Sequence, residues 1–279
     1  MPASALMNVM TAAARKAGRS LARDYGEVEH LQVSLKGPAN FVSAADTRAE
    51  EILFDELSRA RPGYGFLLEE RGPVAGADAS HRWIVDPLDG TINFLHGLPI
   101  FAISIALERE GQLVGGLVYN PVSHETFTAE KGKGAFLNDK RLRVAARTEL
   151  AAALIGTGVP HHGRAGHEPF LRELRAVMGV SAGIRRTGSA ALDLAWCAAG
   201  RLDGFWENGI YPWDMAAGIV ILREAGAYVT DAAGKDDMLE TGGVVAGNET
   251  IHAKLLKLLK AAGASAGKPG PSPRPAEAG

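Results

Sequence analysis

The sequence predicts a layered α/β protein, on three observations. Segments of helical and strand periodicity alternate through the second half of the 279-residue chain. Residues 83–129 read as an antiparallel meander, with apolar runs separated by turn residues. Helical patterns open and close the chain. Elements in this order suit sheets covered by helices, and neither a bundle nor a β-sandwich. With 46% hydrophobic and 22% charged residues, the chain has apolar material for a large core.

Leu6, Val9, Met10, Ala13, Ala17 and Leu21 recur at steps of three or four and predict a first helix ending near Tyr25–Gly26. A polar loop containing Lys36, Gly37 and Pro38 follows. A second helix is expected from about Asp46–Thr47, with Ala49, Ile52, Leu53, Leu57 and Ala60 on one face, stopped by Arg61-Pro62-Gly63. The apolar run 83–85 predicts a short strand ending at Asp86, and 101–107, 113–119 and 126–129 predict three more. The Gly-rich stretch 131–138 reads as another turn region. Beyond residue 144 the pattern predicts a strand at 154–157, helices at 168–177 and 190–199, and a strand at 203–207. A helix follows at 213–225 with Met215, Ile219 and Leu222 inward, then strands at 227–230 and 244–246 and a last helix at 249–262. The expected organisation is an N-terminal α+β half (1–143), a C-terminal α/β half (144–262), and a disordered tail (263–279) of Gly, Pro, Ser and Ala. No internal repeat is visible.

The formal net charge of -2 carries no basic excess, which argues against a duplex-binding or membrane-surface protein. The single cysteine, Cys197, excludes an intrachain disulfide and a cysteine-rich zinc site, and its Ala-rich surroundings make it a core residue. No apolar run is long enough to span a bilayer, and the start lacks a basic-then-apolar signal pattern. A cytoplasmic location is expected.

The most informative stretch runs Trp83-Ile84-Val85-Asp86-Pro87-Leu88-Asp89-Gly90-Thr91-Ile92-Asn93-Phe94. An apolar strand delivers Asp86 to its end, and Pro87 and Gly90 force a tight turn that brings the Asp86 and Asp89 carboxylates together. Two ionised carboxylates at contact distance repel unless a cation lies between them. Gly90 and Thr91 fall at a helix start, where free backbone N–H groups and the helix dipole suit a phosphate. The same residues also fit a plain turn. Glu69–Glu70 closes the apolar stretch 66–68, Asp46 opens the second helix, and Asp214 follows Trp213 at another helix start. Taken singly, Asp46 and Asp214 read as helix N-caps and Glu69–Glu70 as a solvated pair. His161, His162 and His167 lie in a Pro- and Gly-flanked loop; a second metal site there lacks patterned partners, and a solvated loop is the favoured reading.

Taken together, Glu69-Glu70, then Asp86 to Phe94, then Trp213-Asp214-Met215-Ala216-Ala217-Gly218 resemble the two signature motifs of the inositol monophosphatase family, in order and at suitable spacing. Arg186-Thr187-Gly188-Ser189-Ala190-Ala191-Leu192-Asp193-Leu194-Ala195 and Gly200-Arg201-Leu202-Asp203-Gly204-Phe205-Trp206-Glu207 resemble its bacterial SuhB-type branch. The likeness runs from the first helix to about Ala262. It implies the α-β-α-β-α sandwich of inositol monophosphatases and fructose-1,6-bisphosphatases. It also implies a Mg²⁺-dependent phosphomonoester hydrolase acting on inositol 1-phosphate by direct in-line attack of a metal-activated water. Two or three Mg²⁺ ions are implied. Glu69, Asp86 and the Leu88 carbonyl would hold the first; Asp86, Asp89 and Asp214 would hold a second. All are oxygen ligands, suited to a hard cation. Glu69, Thr91 and Asp46 would act on the attacking water, and the Gly90 and Thr91 amides on the phosphate. Glu207, Gly188, Ser189 and Ala190 would contact the inositol, with Asp89 and Asp214 beside it. Lys36 would act electrostatically. A homodimer, Li⁺ inhibition and a small phosphate-ester substrate are further implications. The sequence departs from the family pattern at Leu68, at Ile92 in place of the usual second Thr, and at Ala44–Ala45; none removes a ligand.

Three other readings stay open. The haloacid-dehalogenase type also has a strand leading into Asp and Asp-Gly-Thr, but there one residue separates the two aspartates, and here Pro87 and Leu88 do. Other substrates of the superfamily are fructose bisphosphate, nucleotide 3'-phosphates and histidinol phosphate. The chain could also act as a regulatory binding protein with a protein partner, without membrane or direct nucleic-acid contact.

Overall fold

The computed structural model describes residues 4–27, 33–37 and 40–263. The hydroxyl of Ser4 accepts from the Met7 amide at 3.2 Å and starts helix α1 (Ala5–Tyr25). Met7, Met10, Ala13, Ala17 and Leu21 form its buried face. α1 packs on α2 (Ala44–Ala60), which buries Ala45, Ala49, Leu53 and Leu57. The region expected as a polar loop holds an antiparallel hairpin, β1 (Val33–Gly37) and β2 (Asn40–Ser43). Val33, Leu35, Phe41 and Val42 are residue types that favour extended backbone. Lys36 falls in β1, and its side chain lies outside the described part.

α1 and α2 cover one face of an eight-stranded sheet. Its strands are β3 (Tyr64–Leu68), β4 (Gly72–Val74), β5 (Asp78–Asp89), β6 (Ala102–Arg109), β7 (Gln112–Asn120), β8 (Glu125–Glu130), β9 (Gly134–Leu137) and β10 (Lys140–Arg141). The order is β10-β9-β8-β7-β6-β5-β3-β4, antiparallel except for the β3–β5 pair. The expected turn region 131–138 thus ends in a strand: Gly134 and Asn138 have positive φ, but the residues between them pair with β8.

A second sheet has the order β12-β11-β13-β15-β14. Its strands are β11 (Leu154–Thr157), β12 (Gly183–Arg185), β13 (Gly204–Asn208), β14 (Tyr228–Thr230) and β15 (Gly243–Gly247). The three-residue β12 and the one-turn helix α7 (Met238–Thr241) escape sequence reading because each is too short to show a period. Between the sheets lie α5 (Ala190–Ala198) and α6 (Pro212–Glu224). The expected inward face of α6 understates its burial: every residue from Met215 to Leu222 is buried, as a helix with a sheet on either side requires. Gly116 lets it approach β7, since a Cβ there would lie 2.5 Å from the Ala217 carbonyl. α4 (His167–Met178) and α8 (Glu249–Gly263) cover the far face of the second sheet around Phe170, Trp206, Val245 and Leu255. The layers are therefore α-β-α-β-α. Cys197 is buried in the middle layer. No helix among the described residues is long and apolar enough to cross a membrane. The tail expected from residue 263 lies, from 264 on, outside the described residues.

Candidate active site

The strand expected to stop at Asp86 continues to Asp89. Asp86 pairs with Ser104 and Asp89 with Ala102, so Pro87 and Leu88 stand opposite Ile103 alone. This is a β-bulge, and it explains the carboxylate convergence better than a turn does. In a regular strand residues three apart face opposite ways; one inserted residue restores them to a common face. Proline is tolerated because the ladder is already interrupted there. Asp86 Oδ1 accepts from the Leu88 amide at 2.8 Å, which holds the bulge closed.

Gly90 follows at φ 92°, and a Cβ on it would meet the Ile100 carbonyl at 2.9 Å, so only glycine fits. It opens the short helix α3 (Thr91–Leu95). The Thr91 hydroxyl lies 3.1 Å from both Asp46 Oδ1 and the Leu88 carbonyl. Asp46 is fully buried and is not the N-cap of α2. Ser43 takes that place, and Asp46, three residues on, accepts from the Ser43 amide at 2.8 Å and from its hydroxyl. Asp214 repeats the arrangement at α6, where its Oδ2 accepts from the Tyr211 amide at 2.7 Å. In both aspartates one oxygen serves the helix start and leaves the other for the site.

Carboxylate oxygens of Asp86, Asp89 and Asp214 lie within 4.8 Å of one another, and Glu69, just after β3, is hydrogen-bonded to Asp86. The Glu70 amide donates to Glu50 Oε2 at 2.8 Å. Burial and the charges of Glu69, Asp89 and Asp214 raise Asp86 well above the usual carboxylate range. Burial and Asp214 raise Asp89 to about 7, against hydrogen bonds from the Ser189 hydroxyl and the Ala191 amide at 2.8 Å. Burial raises Asp214 to about 6. Carboxyls are thus packed together with mainly like charge around them. The donor set, all oxygen and short of positive charge, fits a hard divalent cation.

The second half completes a cavity of ≈ 160 Å³. Its wall includes Glu69, Asp89, Gly90, Thr91, Gly188, Ser189, Ala190, Glu207 and Asp214, but not Asp46, Asp86 or Leu88. Glu207, at the end of β13, is half-buried rather than a surface acid, and burial with the charges of Asp214, Asp193 and Asp89 raises it to about 8. Asn93 joins the halves, donating to the Ile100 carbonyl at 2.7 Å and the Thr187 carbonyl at 2.9 Å. Ser189 is buried and its hydroxyl is directed at Asp89.

Four titratable wall residues have no site role assigned from the sequence: His161, Arg164, Arg186 and Asp193. In the loop expected to be solvated, His162 and His167 are exposed, and His161 is half-buried at the cavity wall. Arg186 stands two residues before the Gly188 turn, a usable signal; Arg164 has none. Among the described residues, Asp86, Asp89 and Asp214 are the one group of three or more acidic, histidine or cysteine side chains placed to hold a metal ion.

Five alternating layers, with clustered carboxylates at the seam between the sheets beside a small polar cavity, define a phosphatase of the metal-dependent class. The chain belongs to the inositol monophosphatase family, whose sequence profile matches residues 3–264. It is 64% identical over 260 residues to an inositol-1-monophosphatase of Mesorhizobium japonicum, covering 93% of this chain and 98% of that one. It is 42% identical over 259 residues to the Nus factor SuhB of Pseudomonas aeruginosa, covering 91% and 96%. The crystal structure of extragenic suppressor protein suhB from Bartonella henselae superposes with a TM-score of 0.90 at 60% identity, covering 92% of this chain and 99% of that one.

Proposed function

We propose that this chain is a Mg²⁺-dependent inositol-1-monophosphatase, releasing inositol and phosphate from inositol 1-phosphate. The observation that supports this reading most is the convergence of the Asp86, Asp89 and Asp214 carboxylates on one another, with Glu69 hydrogen-bonded to Asp86, beside one cavity. Glu69, Asp86, Asp89, Asp214 and the Leu88 carbonyl would hold two or three Mg²⁺ ions. Bound there, the ions would supply charge neutralisation for the phosphoryl group and lower the pKa of the attacking water. The Gly90 and Thr91 amides hold phosphoryl oxygens. Thr91 Oγ1, against Asp46 Oδ1, orients the water and passes on its proton, with Glu69 alongside. Water oxygen bonds to phosphorus in line as the ester P–O bond breaks, and the leaving alkoxide takes up a proton. Glu207 and the backbone of Gly188, Ser189 and Ala190 hold the polyol, with Asp89 and Asp214 beside it.

The reading extends to a cytoplasmic homodimer inhibited by Li⁺, with 1–143 and 144–262 as its two halves. A regulatory protein partner is a second role, supported by relatives that carry the name Nus factor SuhB. Phosphate release from inositol 1-phosphate, fructose bisphosphate, a nucleotide 3'-phosphate and histidinol phosphate, with and without Mg²⁺, tests the reading. Inositol 1-phosphate is expected to be the fastest. If it ranks among the slowest, or if Asp89→Asn turns over as fast as the unaltered chain, the assignment fails.

A further inference from the structure

Two guanidiniums line the cavity, those of Arg164 and Arg186, and that of Arg164 is fixed in place. Arg164 sits in the loop between β11 and α4, half-buried. Its Nη1 donates to the Gly209 carbonyl at 2.7 Å, and its Cζ lies 5.4 Å from the centre of the Tyr211 ring. Tyr211 stacks in turn on Trp213, with centroids 4.9 Å apart. The guanidinium is therefore held in place by one N–H and one face, and its Nε and Nη2 donors have no protein partner among the described residues. The same loop makes room for Glu207: a Cβ on Gly158 would lie 1.7 Å from Glu207 Oε1. Arg164 and Glu207 line the same cavity, close enough that the Arg164 charge opposes the upward shift of Glu207.

We propose that Arg164 is a substrate-binding residue that orients the leaving-group alcohol. Its free N–H groups and the Glu207 carboxyl form a donor–acceptor pair for adjacent hydroxyls of a polyol ester, in the same cavity as Asp89 and Asp214. The inference rests on the phosphatase reading and adds to it a source of specificity. A polyol ester offers hydroxyl oxygens to Arg164 and hydroxyl protons to Glu207, whereas p-nitrophenyl phosphate offers Glu207 no hydroxyl proton and Arg164 only weakly accepting nitro oxygens. Anchoring by Gly209 and Tyr211 lowers the entropy lost on binding, because the guanidinium is already placed.

The test compares kcat/KM on inositol 1-phosphate and on p-nitrophenyl phosphate, at saturating Mg²⁺, for the unaltered chain, Arg164→Ala and Arg164→Lys. Loss of a hydrogen bond from a charged donor predicts that Arg164→Ala lowers the inositol-to-aryl ratio by about tenfold or more, chiefly through KM. Arg164→Lys keeps the charge without the fork, and its ratio should fall between the two. A structural role would act through Asp214 instead, lowering both esters in proportion and weakening Mg²⁺ affinity. Proportional loss on both esters, or no loss on either, overturns the proposal, and Arg164→Lys decides it should Arg164→Ala not fold. The parent reading is judged separately, by whether the unaltered chain hydrolyses inositol 1-phosphate at all.

Discussion

The two halves of the molecule build their shares of the site differently. The N-terminal half places Asp86, Leu88, Asp89, Gly90 and Thr91 on one short stretch, where a single bulge in β5 turns Asp86 and Asp89 to one side, and packs Asp46 and Glu69 against it. The C-terminal half draws its residues from separate places: the loop after β11, the start of α5, the end of β13 and the start of α6. Local backbone geometry thus sets the carboxylate side, and tertiary packing sets the side facing the leaving group. Changes on the first should affect every ester alike, and changes on the second should separate one ester from another.

Asp214 is the informative exception, a carboxylate from the C-terminal half that belongs to the first group. Asp86→Asn and Asp214→Asn should each lower kcat by on the order of a thousandfold, equally across an ester panel, because each takes a charge from the proposed cation site. A loss confined to one ester for Asp214→Asn would move it to the specificity side.

The next effect concerns pH. Asp89, Asp214, Asp193 and Glu207 are raised to about 7, 6, 8 and 8. The folded protein therefore binds protons that the unfolded chain has lost. The stability this lends is full below about pH 4 and is lost as pH climbs through the folded values, so without metal Tm should fall between pH 5 and 8. Each such group contributes up to ~1.4 kcal/mol per pH unit over its own window. Saturating Mg²⁺ should flatten the slope by favouring the ionised carboxylates. Thermal unfolding in chelator and in Mg²⁺ measures both, and a metal-free Tm that rises with pH would contradict the crowding of these carboxyls.

Gly90→Ala tests the backbone side. Its φ of 92° and the 2.9 Å approach to the Ile100 carbonyl leave no place for a methyl group. A cost of about 1–3 kcal/mol is expected in denaturant unfolding, with slower turnover on all esters. Unchanged stability would mean that the α3 entry relaxes freely.

The same contrast explains what was legible in the sequence. Asp86, Asp89, Gly90 and Thr91 could be found together because they are neighbours, although the bulge that aligns them was read as a turn: Pro87 and Gly90 are turn residues by composition, and only the pairing with β6 shows the strand continuing. Asp46 and Asp214 looked like N-caps, and each does accept from the amide three residues earlier. Ser43-x-x-Asp46 has the spacing of a capping box, which would have moved the start of α2 forward. Arg164 could not be found, because its neighbours Gly209 and Tyr211 are distant in sequence and nothing beside it marks a site. The long helices were legible from their periodicity, whereas the hairpin of β1 and β2, the four-residue β9 and the short β12 were not.

The smallest expected effect lies where the halves touch. The Ser189 hydroxyl donates to Asp89 Oδ2 and accepts from the Leu192 amide at 3.4 Å, so it both orients a carboxylate of the first half and caps α5 of the second. Ser189→Ala should cost about 1 kcal/mol through the lost cap. It should also raise Asp89 further, since a bond that favours the ionised form is gone while the Ala191 amide remains. The acidic limb of the activity profile should then move to higher pH at limiting Mg²⁺, and Ser189→Thr, which keeps the hydroxyl, should restore it. If the limb stays put while stability falls, Ser189 serves only the helix. Asp89 would then be held by the backbone of α5 alone, and the division between a locally built side and a packed side would run between Asp89 and Ser189 rather than through the bond joining them.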